Sequence, residues 1–325
     1  MQGLIEQADA LRQAGDFLAA EAIYRQLTAA APDDARAHFQ LGNVLCRLNR
    51  NAEAAEAFAR VTELRPELAV AHFNLGNALC SLDRHEGAVA AYRRAIEVSP
   101  DGADADAAYN LAKTLVDLGR WDEAVPYYCQ AIDAAPRFFQ AYSNLGQLYF
   151  AMRRPQDALA LHQRAIELEP DHAAEHFMLG RSRASLGLFD DAVASFRRVL
   201  VLNPLSAAAY QMLGQILHAQ GQQEEVATVL ADWQRALPDD PGCAHMQAAW
   251  LGGPSAPRAA DNYVRALFDG FAEDFDATLQ RLEYRAPALV VDALARQLSQ
   301  QGVASGELEI HDAGCGTGLC GPLLR

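Results

Sequence analysis

A glycine-rich stretch close to residue 325 contains residues that can cradle a nucleotide-like cofactor. Asp312 is followed by Gly314, Gly316 and Gly318 in the sequence HDAGCGTGLCGPLLR. Glycine lets the backbone approach a ligand where a Cβ would clash, and the N-terminus of a following helix favours an anionic group. Such a loop needs a strand before it and a helix after it, and ELEIHDAG followed by LCGPLL predicts both.

A second set of polar residues recurs at helical spacing earlier in the chain. The set comprises Asn43, Asn74, Asn77, Asn110, Lys113, Asn144 and Gln147. Asn is a poor helix former, so its repeated use on an exposed helix face calls for a reason. A side-chain amide has one acceptor and two donors, so it can pair with both the C=O and the N–H of an extended peptide. We therefore expect a peptide-binding surface on the helices that carry these residues.

Regularly spaced prolines show that the first 238 residues form a repeat. They are Pro32, Pro66, Pro100, Pro136, Pro170, Pro204 and Pro238, with successive differences of 34, 34, 36, 34, 34 and 34 residues. The units therefore start at residues 1, 35, 69, 105, 139, 173 and 207. Two apolar stripes at helical spacing predict two helices in each unit. Each proline ends the second helix, because it lacks an N–H and clashes with the preceding turn.

Small and aromatic residues recur at fixed positions of these units. Position 8 is Gly or Ala in units 2–7, and position 20 is Ala in units 1–6. Position 24 is Tyr or Phe in units 1–6, except for His162. We expect position 8 to be small because the backbones of two helices approach closely there.

Together these positions resemble the tetratricopeptide repeat (TPR), whose pattern is W-x2-L-G-x2-Y…A-x3-F…P. The resemblance covers residues 1–238 in seven units. It implies an all-α solenoid superhelix of helix-turn-helix pairs, since stacked pairs bury a core that one pair cannot bury alone. It also implies a concave groove faced by positions 2, 6, 9 and 13 of each first helix, where the polar set lies. Asn74, Asn110 and Asn144 at position 6 resemble the asparagine ladder in the repeat domain of O-linked N-acetylglucosamine transferases.

A different binding mode of this repeat family is excluded by the residue types. The clamp that grips the C-terminal carboxylates of chaperones requires Lys or Arg at positions 2, 5 and 6 of neighbouring units. Position 5 is instead aromatic at Phe39, Phe73, Tyr109 and Phe177, and position 6 has no basic residue.

The repeat ends after Pro238. Residues 239–258 predict a capping helix and a linker, and residues 259–325 predict a second domain. The loop with Asp312, Gly314, Gly316 and Gly318 resembles the first motif of class I S-adenosylmethionine-dependent methyltransferases. This resemblance implies that the glycines approach the cofactor and that the acid helps to hold its methionine amino group.

A rival reading of the same loop is the dinucleotide fingerprint G-x-G-x-x-G, which Gly316, Gly318 and Gly321 satisfy. It fits less well, because its first glycine should lie tight against the strand, whereas Gly316 lies six residues past Ile310. The lead-in segment favours the methyltransferase reading, since it resembles the helical entry of predicted methyltransferases that carry such repeats. The matching residues are Phe268, Asp269, Ala272, Phe275 and Asp276.

Only seven residues follow Gly318, so we expect this domain to be a truncated start of a Rossmann-like α/β methyltransferase fold. The acid that would hold the ribose is expected about 20 residues past the loop. We therefore expect S-adenosylmethionine to bind the complete parent protein but not this chain, and no catalytic residue can be named.

Composition limits the partners and the compartment. The sequence has 27 basic and 42 acidic residues, a formal charge of −15, which argues against nucleic acid or an anionic membrane as partner. The start lacks a basic and apolar signal segment, so we expect a cytoplasmic protein. Six cysteines include no C-x-x-C pair and no neighbouring histidine at metal-ligand spacing, so no metal site is predicted.

Two functions remain open at this point. In the first, the parent is a methyltransferase whose repeats recruit a protein acceptor. In the second, the repeats alone work as a non-enzymatic adaptor for extended peptides, and the C-terminal segment is inert.

Overall fold

The computed structural model describes residues 2–99 and 104–251. Within these ranges the chain is all-α, with fifteen helices and no strand. The helices are α1 (Gln2–Gln13), α2 (Phe17–Ala30), α3 (Ala35–Arg47), α4 (Asn51–Leu64), α5 (Ala69–Cys80), α6 (His85–Val98), α7 (Ala105–Asp117), α8 (Trp121–Ala134), α9 (Phe139–Ala151), α10 (Pro155–Leu168), α11 (Ala173–Ser185), α12 (Phe189–Leu202), α13 (Ala207–Ala219), α14 (Gln223–Ala236) and α15 (Pro241–Leu251). The predicted strand and the predicted methyltransferase start at 259–325 lie outside the described residues.

Each repeat unit contributes two successive helices, as the period predicts. The first helices of units 2 to 7 begin at the residues where those units start. Each second helix ends two residues before a proline. The single residue between the helix and the proline has a non-helical backbone: φ is −137° at Ala31, −138° at Arg65 and −135° at Ala135. The ring of a following proline disfavours helical backbone at the residue before it. The prolines therefore end the second helices as predicted, and the restriction on the preceding residue contributes to this.

The turn between the two helices of a unit has a left-handed residue at position 15 in all seven units. Four of these residues are glycines, Gly15, Gly119, Gly187 and Gly221, with φ of 73–83°. The other three are Asn49, Asp83 and Arg153, with φ of 58°, 56° and 61°. A side chain with a Cβ is disfavoured in this region, and Arg153 pays the largest penalty because it lacks the short polar side chain of Asn or Asp.

The small residue at position 8 packs against the ring at position 24. A Cβ on Gly42 would lie 2.7 Å from the Phe58 ring, and one on Gly76 would lie 2.5 Å from the Tyr92 ring. Position 8 is therefore small because of this ring, and not because two helix backbones approach closely there, as we expected. The aromatic side chain of the second helix, which is fully buried, occupies the space that a Cβ would need.

The chain divides into two compact units, Met1–Ala209 and Tyr210–Arg325. In the described part of the second unit, α15 packs on α14. Position 24 of the repeat unit that starts at residue 207 is Leu230 and carries no ring. The ring that packs against Gly214 comes instead from Trp250 on α15. Trp233 is buried and stacks on Tyr210 with ring centroids 5.9 Å apart.

Candidate functional site

The predicted peptide-binding residues lie on the first helices of units 2 to 5. We call Asn43, Asn74, Asn77, Asn110, Lys113, Asn144 and Gln147 the polar stripe. They are carried by α3, α5, α7 and α9. The five asparagines are half-buried, whereas Lys113 and Gln147 are exposed. The sequence analysis expected the asparagines on an exposed helix face, but their side chains are only partly accessible to solvent.

Side-chain hydrogen bonds connect the asparagines of neighbouring units. Asn74 Nδ2 donates to Asn43 Oδ1 at 3.3 Å. Asn110 Nδ2 donates to Asn77 Oδ1 at 3.1 Å, and Tyr92 OH donates to the same oxygen at 2.7 Å. The first helices of units 2 and 3, and of units 3 and 4, are thus joined through side-chain amides. This cross-unit bonding was not visible in the sequence pattern.

The C-terminal part of the stripe uses different partners. Asn144 Nδ2 donates to Tyr109 OH at 2.9 Å, across one unit boundary. Gln147 Nε2 donates to Ser143 Oγ at 3.1 Å within α9. Burial raises the pKa of Tyr109, so its hydroxyl stays protonated at neutral pH and accepts the amide hydrogen through its oxygen.

These bonds leave hydrogen-bonding capacity on the asparagines. An amide offers two donor hydrogens and an oxygen with two lone pairs. Asn74, Asn110 and Asn144 each use one hydrogen in the bonds described, so their oxygens are the main remaining acceptors. Asn77, whose oxygen already accepts two bonds, contributes its NH2 group as a donor. The stripe therefore presents acceptors at position 6 and a donor at position 9.

A cavity of about 670 Å³ opens at the N-terminal end of the stripe. Its lining residues are Arg12, Phe17, Asn43, Cys46, Arg47, Asn49, Asn51, Phe58, Asn74, Asn77, Ala78 and Ser81. The stripe residues of units 2 and 3 therefore line a concave surface. No stripe residue of units 4 and 5 lines this cavity.

Several cavity residues were missed by the sequence analysis. Asn51 starts α4 and lies outside the stripe, yet it lines the cavity beside Asn43. Phe17 comes from the second helix of unit 1, and Arg12 from its first helix. A helix-face pattern within one unit does not show which residues of the preceding unit border the groove.

The charge in this cavity is positive. Arg12 and Arg47 line it, and none of the lining residues is Asp or Glu. The guanidinium carbon of Arg47 lies 5.3 Å from the ring centroid of Phe17, a cation–π contact. Burial raises the pKa of the Cys46 thiol, so this side chain is neutral and does not offset the two arginines.

The predictions about a cofactor, a metal and a membrane concern other parts of the chain than this surface. Asp312, Gly314, Gly316 and Gly318, the predicted cofactor residues, lie outside the described residues. Across residues 2–99 and 104–251, no group of three or more His, Cys, Asp or Glu side chains is placed to hold a metal ion. In the same ranges, none of the helices has the length and apolar character required to span a bilayer.

Comparison with known proteins identifies the repeat. One profile described as tetratricopeptide repeat matches residues 5–69, 109–173 and 177–241, and a second matches residues 67–137. No curated protein matches the chain.

Two solved structures are similar to the chain. YrrB, described as a TPR protein with an unusual peptide-binding site, is 27% identical with a TM-score of 0.53. The match covers 59% of this chain and 98% of YrrB. The C-terminal part of a TPR repeat-containing protein from Cytophaga hutchinsonii is 13% identical with a TM-score of 0.63, covering 74% and 97% of the two chains, and shows the fold alone. The profile that matches residues 5–69, 109–173 and 177–241 covers more than half of this chain, so the chain belongs to the tetratricopeptide repeat family.

Proposed function

We propose that this protein is an interaction scaffold that binds an extended peptide segment of a partner protein along the polar stripe. The observation that carries the proposal is the chain of half-buried asparagines that bond to one another from unit 2 to unit 4. These contacts hold each amide in one orientation, so its remaining donors and acceptors are pre-organised for a backbone.

The hydrogen-bonding pattern matches what an extended backbone offers. The free oxygens of Asn74, Asn110 and Asn144 accept peptide N–H groups, and the NH2 group of Asn77 donates to a peptide C=O. Such bonds recognise the main chain and leave the peptide sequence largely unread. The cavity next to Asn43 and Asn74 is large enough to take a side chain of the bound peptide. The similarity of the chain to YrrB, described as a TPR protein with an unusual peptide-binding site, supports a peptide as ligand.

The test is a selection of short peptides from a random-sequence display library on the immobilised protein. Peptides that bind are measured by fluorescence polarisation on the wild type and on the triple variant Asn74→Ala, Asn110→Ala and Asn144→Ala. With one or two lost bonds per residue at about 0.5–1.5 kcal/mol each, the triple variant should bind about tenfold to a thousandfold more weakly. Unchanged affinity would exclude the stripe as the binding surface.

The matched control is Gln163→Ala, which removes an exposed amide from α10, a second helix. Its affinity should equal that of the wild type. Urea denaturation of the triple variant is measured in parallel, because all three deleted amides bond to a residue of the preceding unit. The proposal requires that the affinity falls under conditions in which the triple variant is fully folded.

The methyltransferase part of the hypothesis concerns residues 259–325 alone. We propose that they begin a class I methyltransferase domain, with Asp312, Gly314, Gly316 and Gly318 at the S-adenosylmethionine site. The support is the resemblance of this loop and of its lead-in to that family. In this proposal the repeats recruit the protein that accepts the methyl group.

The DNA that follows codon 325 tests this part of the proposal. A reading frame that continues with more strands, and with an acid about 20 residues past the glycines, would support the methyltransferase. A stop codon at that point would contradict it and favour the alternative, a TPR adaptor without enzymatic activity.

A further inference from the structure

Three cations stand at first-helix positions predicted to face the groove and have no carboxylate partner among the described residues. Arg47 on α3 is at position 13 of its unit, and Lys113 on α7 and Arg181 on α11 are at position 9. Within the residues that the structure describes, no carboxylate oxygen lies within ion-pair distance of any of them. Arginines of the second helices behave differently: Arg25 pairs with Glu53, and Arg93 pairs with Glu123 at 2.9 Å, in each case across a unit boundary.

Arg181 is the most desolvated of the three. Its guanidinium carbon lies 4.5 Å from the ring centroid of Phe150, and its Nη1 lies 3.8 Å from Met178 Sδ. Burial lowers the pKa of Arg181, because the charged form has lost water without gaining an anion. A half-buried cation held against a ring in this way gains free energy when a carboxylate approaches it.

Arg47 lines the cavity described above, in which Arg12 is the other charged residue. An Nη2 atom of Arg12 already lies 3.7 Å from Asp9 Oδ1, whereas Arg47 lies against the Phe17 ring and pairs with no carboxylate among the described residues. The chain as a whole carries a formal charge of −15, so a surface without a carboxylate runs against its average composition. This local excess of positive charge favours an anionic ligand.

The spacing of the cations indicates what kind of anion fits. They belong to units 2, 4 and 6, so one unit lies between each cation and the next. Neighbouring helices pack about 8–10 Å apart, which puts successive cations roughly 20 Å apart, or about six residues of extended peptide. A single terminal carboxylate meets one of these cations, whereas a peptide with several acidic side chains meets all three.

We propose that the groove binds an extended acidic peptide whose side-chain carboxylates pair with Arg47, Lys113 and Arg181. The proposal rests on the proposed peptide-binding function and specifies its ligand. Asp106 and Asp117 stand at the two ends of α7, at positions 2 and 13, and exclude peptide carboxylates from those places. On this helix the acidic contact is therefore confined to Lys113.

The first experiment uses fluorescein-labelled, C-terminally amidated peptides of Gly, Ser and Ala with three Glu residues spaced about six apart. A matched peptide has Gln in place of each Glu, and a third has the three Glu residues adjacent. We expect the spaced acidic peptide to bind at least about tenfold more tightly than the other two, with an affinity that falls as salt is added.

The outcomes separate this proposal from the proposed function. Equal binding of the Glu and Gln peptides would overturn the acidic specificity and leave the peptide groove intact. Binding of the adjacent-Glu peptide as tight as that of the spaced one would overturn the three-cation arrangement. Absence of binding by all three would count against the groove itself.

The second experiment compares two triple variants with the same change in net charge. The first is Arg47→Gln, Lys113→Gln and Arg181→Gln, and the control is Arg84→Gln, Arg137→Gln and Arg153→Gln. The control arginines are exposed, lie between helices and, within residues 2–99 and 104–251, also lack a carboxylate partner. The groove variant should bind the spaced acidic peptide about tenfold to a hundredfold more weakly than the control variant. Equal losses would show that net charge alone attracts the peptide.

The third experiment exploits Lys113, which is the only lysine in the sequence. A water-soluble carbodiimide activates the peptide carboxylates, and an ε-amine in contact with one of them forms an amide bond. The acidic peptide should be recovered by mass spectrometry on the fragment that contains Lys113. Lys113→Arg keeps the charge and should keep binding while losing the crosslink. A peptide that binds but never crosslinks to Lys113 would overturn the assignment of this contact.

Discussion

His162 Nδ1 lies 2.8 Å from Glu175 Oε2, with both side chains almost fully buried between units 5 and 6. Each residue departs from the repeat, since units 1–4 and 6 have an aromatic ring at position 24 and units 2–5 and 7 have Ala at position 3. Ser143, a third departure, donates its hydroxyl to the other oxygen of Glu175. Three departures from the repeat thus form one buried polar cluster.

Removing one partner of this cluster should be costly. His162→Ala leaves the Glu175 carboxylate buried without its imidazole partner, and such a loss typically costs about 3–5 kcal/mol. The free energy of unfolding is measured by urea denaturation with far-ultraviolet circular dichroism. A loss below about 1 kcal/mol would show that the carboxylate finds another partner.

Replacing both partners should reverse that loss. The double variant His162→Phe and Glu175→Ala copies the pair found at Phe58 and Ala71. His162 Nε2 is buried without a hydrogen-bond partner among the described residues, so the histidine itself is incompletely satisfied. We expect the double variant to be as stable as the wild type or more stable by about 1–4 kcal/mol. A double variant less stable than His162→Ala would contradict this.

The cluster also predicts a dependence of stability on pH. Burial by itself raises the pKa of Glu175, but hydrogen bonds from His162 and Ser143, with the charges of His162 and His172, outweigh it and hold the pKa below the ordinary value of 4.5. The folded pKa is thus lower than the unfolded one. The stabilisation is complete above the unfolded pKa and is lost as pH falls through the folded pKa.

The variant Glu175→Gln should therefore lose this component. The stability difference between wild type and variant should be constant above about pH 5 and should shrink as pH falls below about 4.5. Glu56→Gln, at an exposed position of α4, should give a difference that changes little over the same range. A difference for Glu175→Gln that is flat down to pH 3 or so would refute the linkage.

The left-handed turn at Arg153 predicts a stabilising substitution. Arg153→Gly removes the Cβ that is disfavoured at φ 61°, a penalty of about 1–2 kcal/mol, and gives back roughly half of it as unfolded-state entropy. The net gain should be up to about 1 kcal/mol in urea denaturation. Arg137→Gly, at an exposed position without positive φ, should not stabilise.

The surroundings of two glycines in unit 3 predict opposite effects of substitution, because Gly76 faces a ring and Gly87 does not. Gly76→Val forces side-chain atoms into the Tyr92 ring and should cost about 1–3 kcal/mol. Gly87→Ala, at an exposed position of α6, meets only the flexible end of Leu79 at 3.3 Å and should stabilise by about 0.5–1 kcal/mol. Equal effects of both substitutions on the urea midpoint would contradict the packing account.

Sequence alone determined the repeat and the position of its helices. The 34-residue spacing of prolines and the two apolar stripes in each unit are local patterns, and helix boundaries depend on local backbone preferences. The starts of α3, α5 and α7 accordingly coincide with the predicted unit starts. The left-handed residue at position 15 escaped the sequence analysis because only four of the seven units mark it with glycine.

Contacts between units were decided only by the tertiary structure. Asn74 meets Asn43 across 31 residues, and Ser143 meets Glu175 across 32, because stacking brings one unit against the next. A pattern within one unit shows which face a side chain occupies but not what lies opposite it. The same limit explains why position 8 was assigned to close helix backbones, when the atoms that exclude a Cβ belong to an aromatic ring on the second helix. Helical periodicity is set within a few residues of chain, whereas complementarity between side chains depends on how packed helices cross.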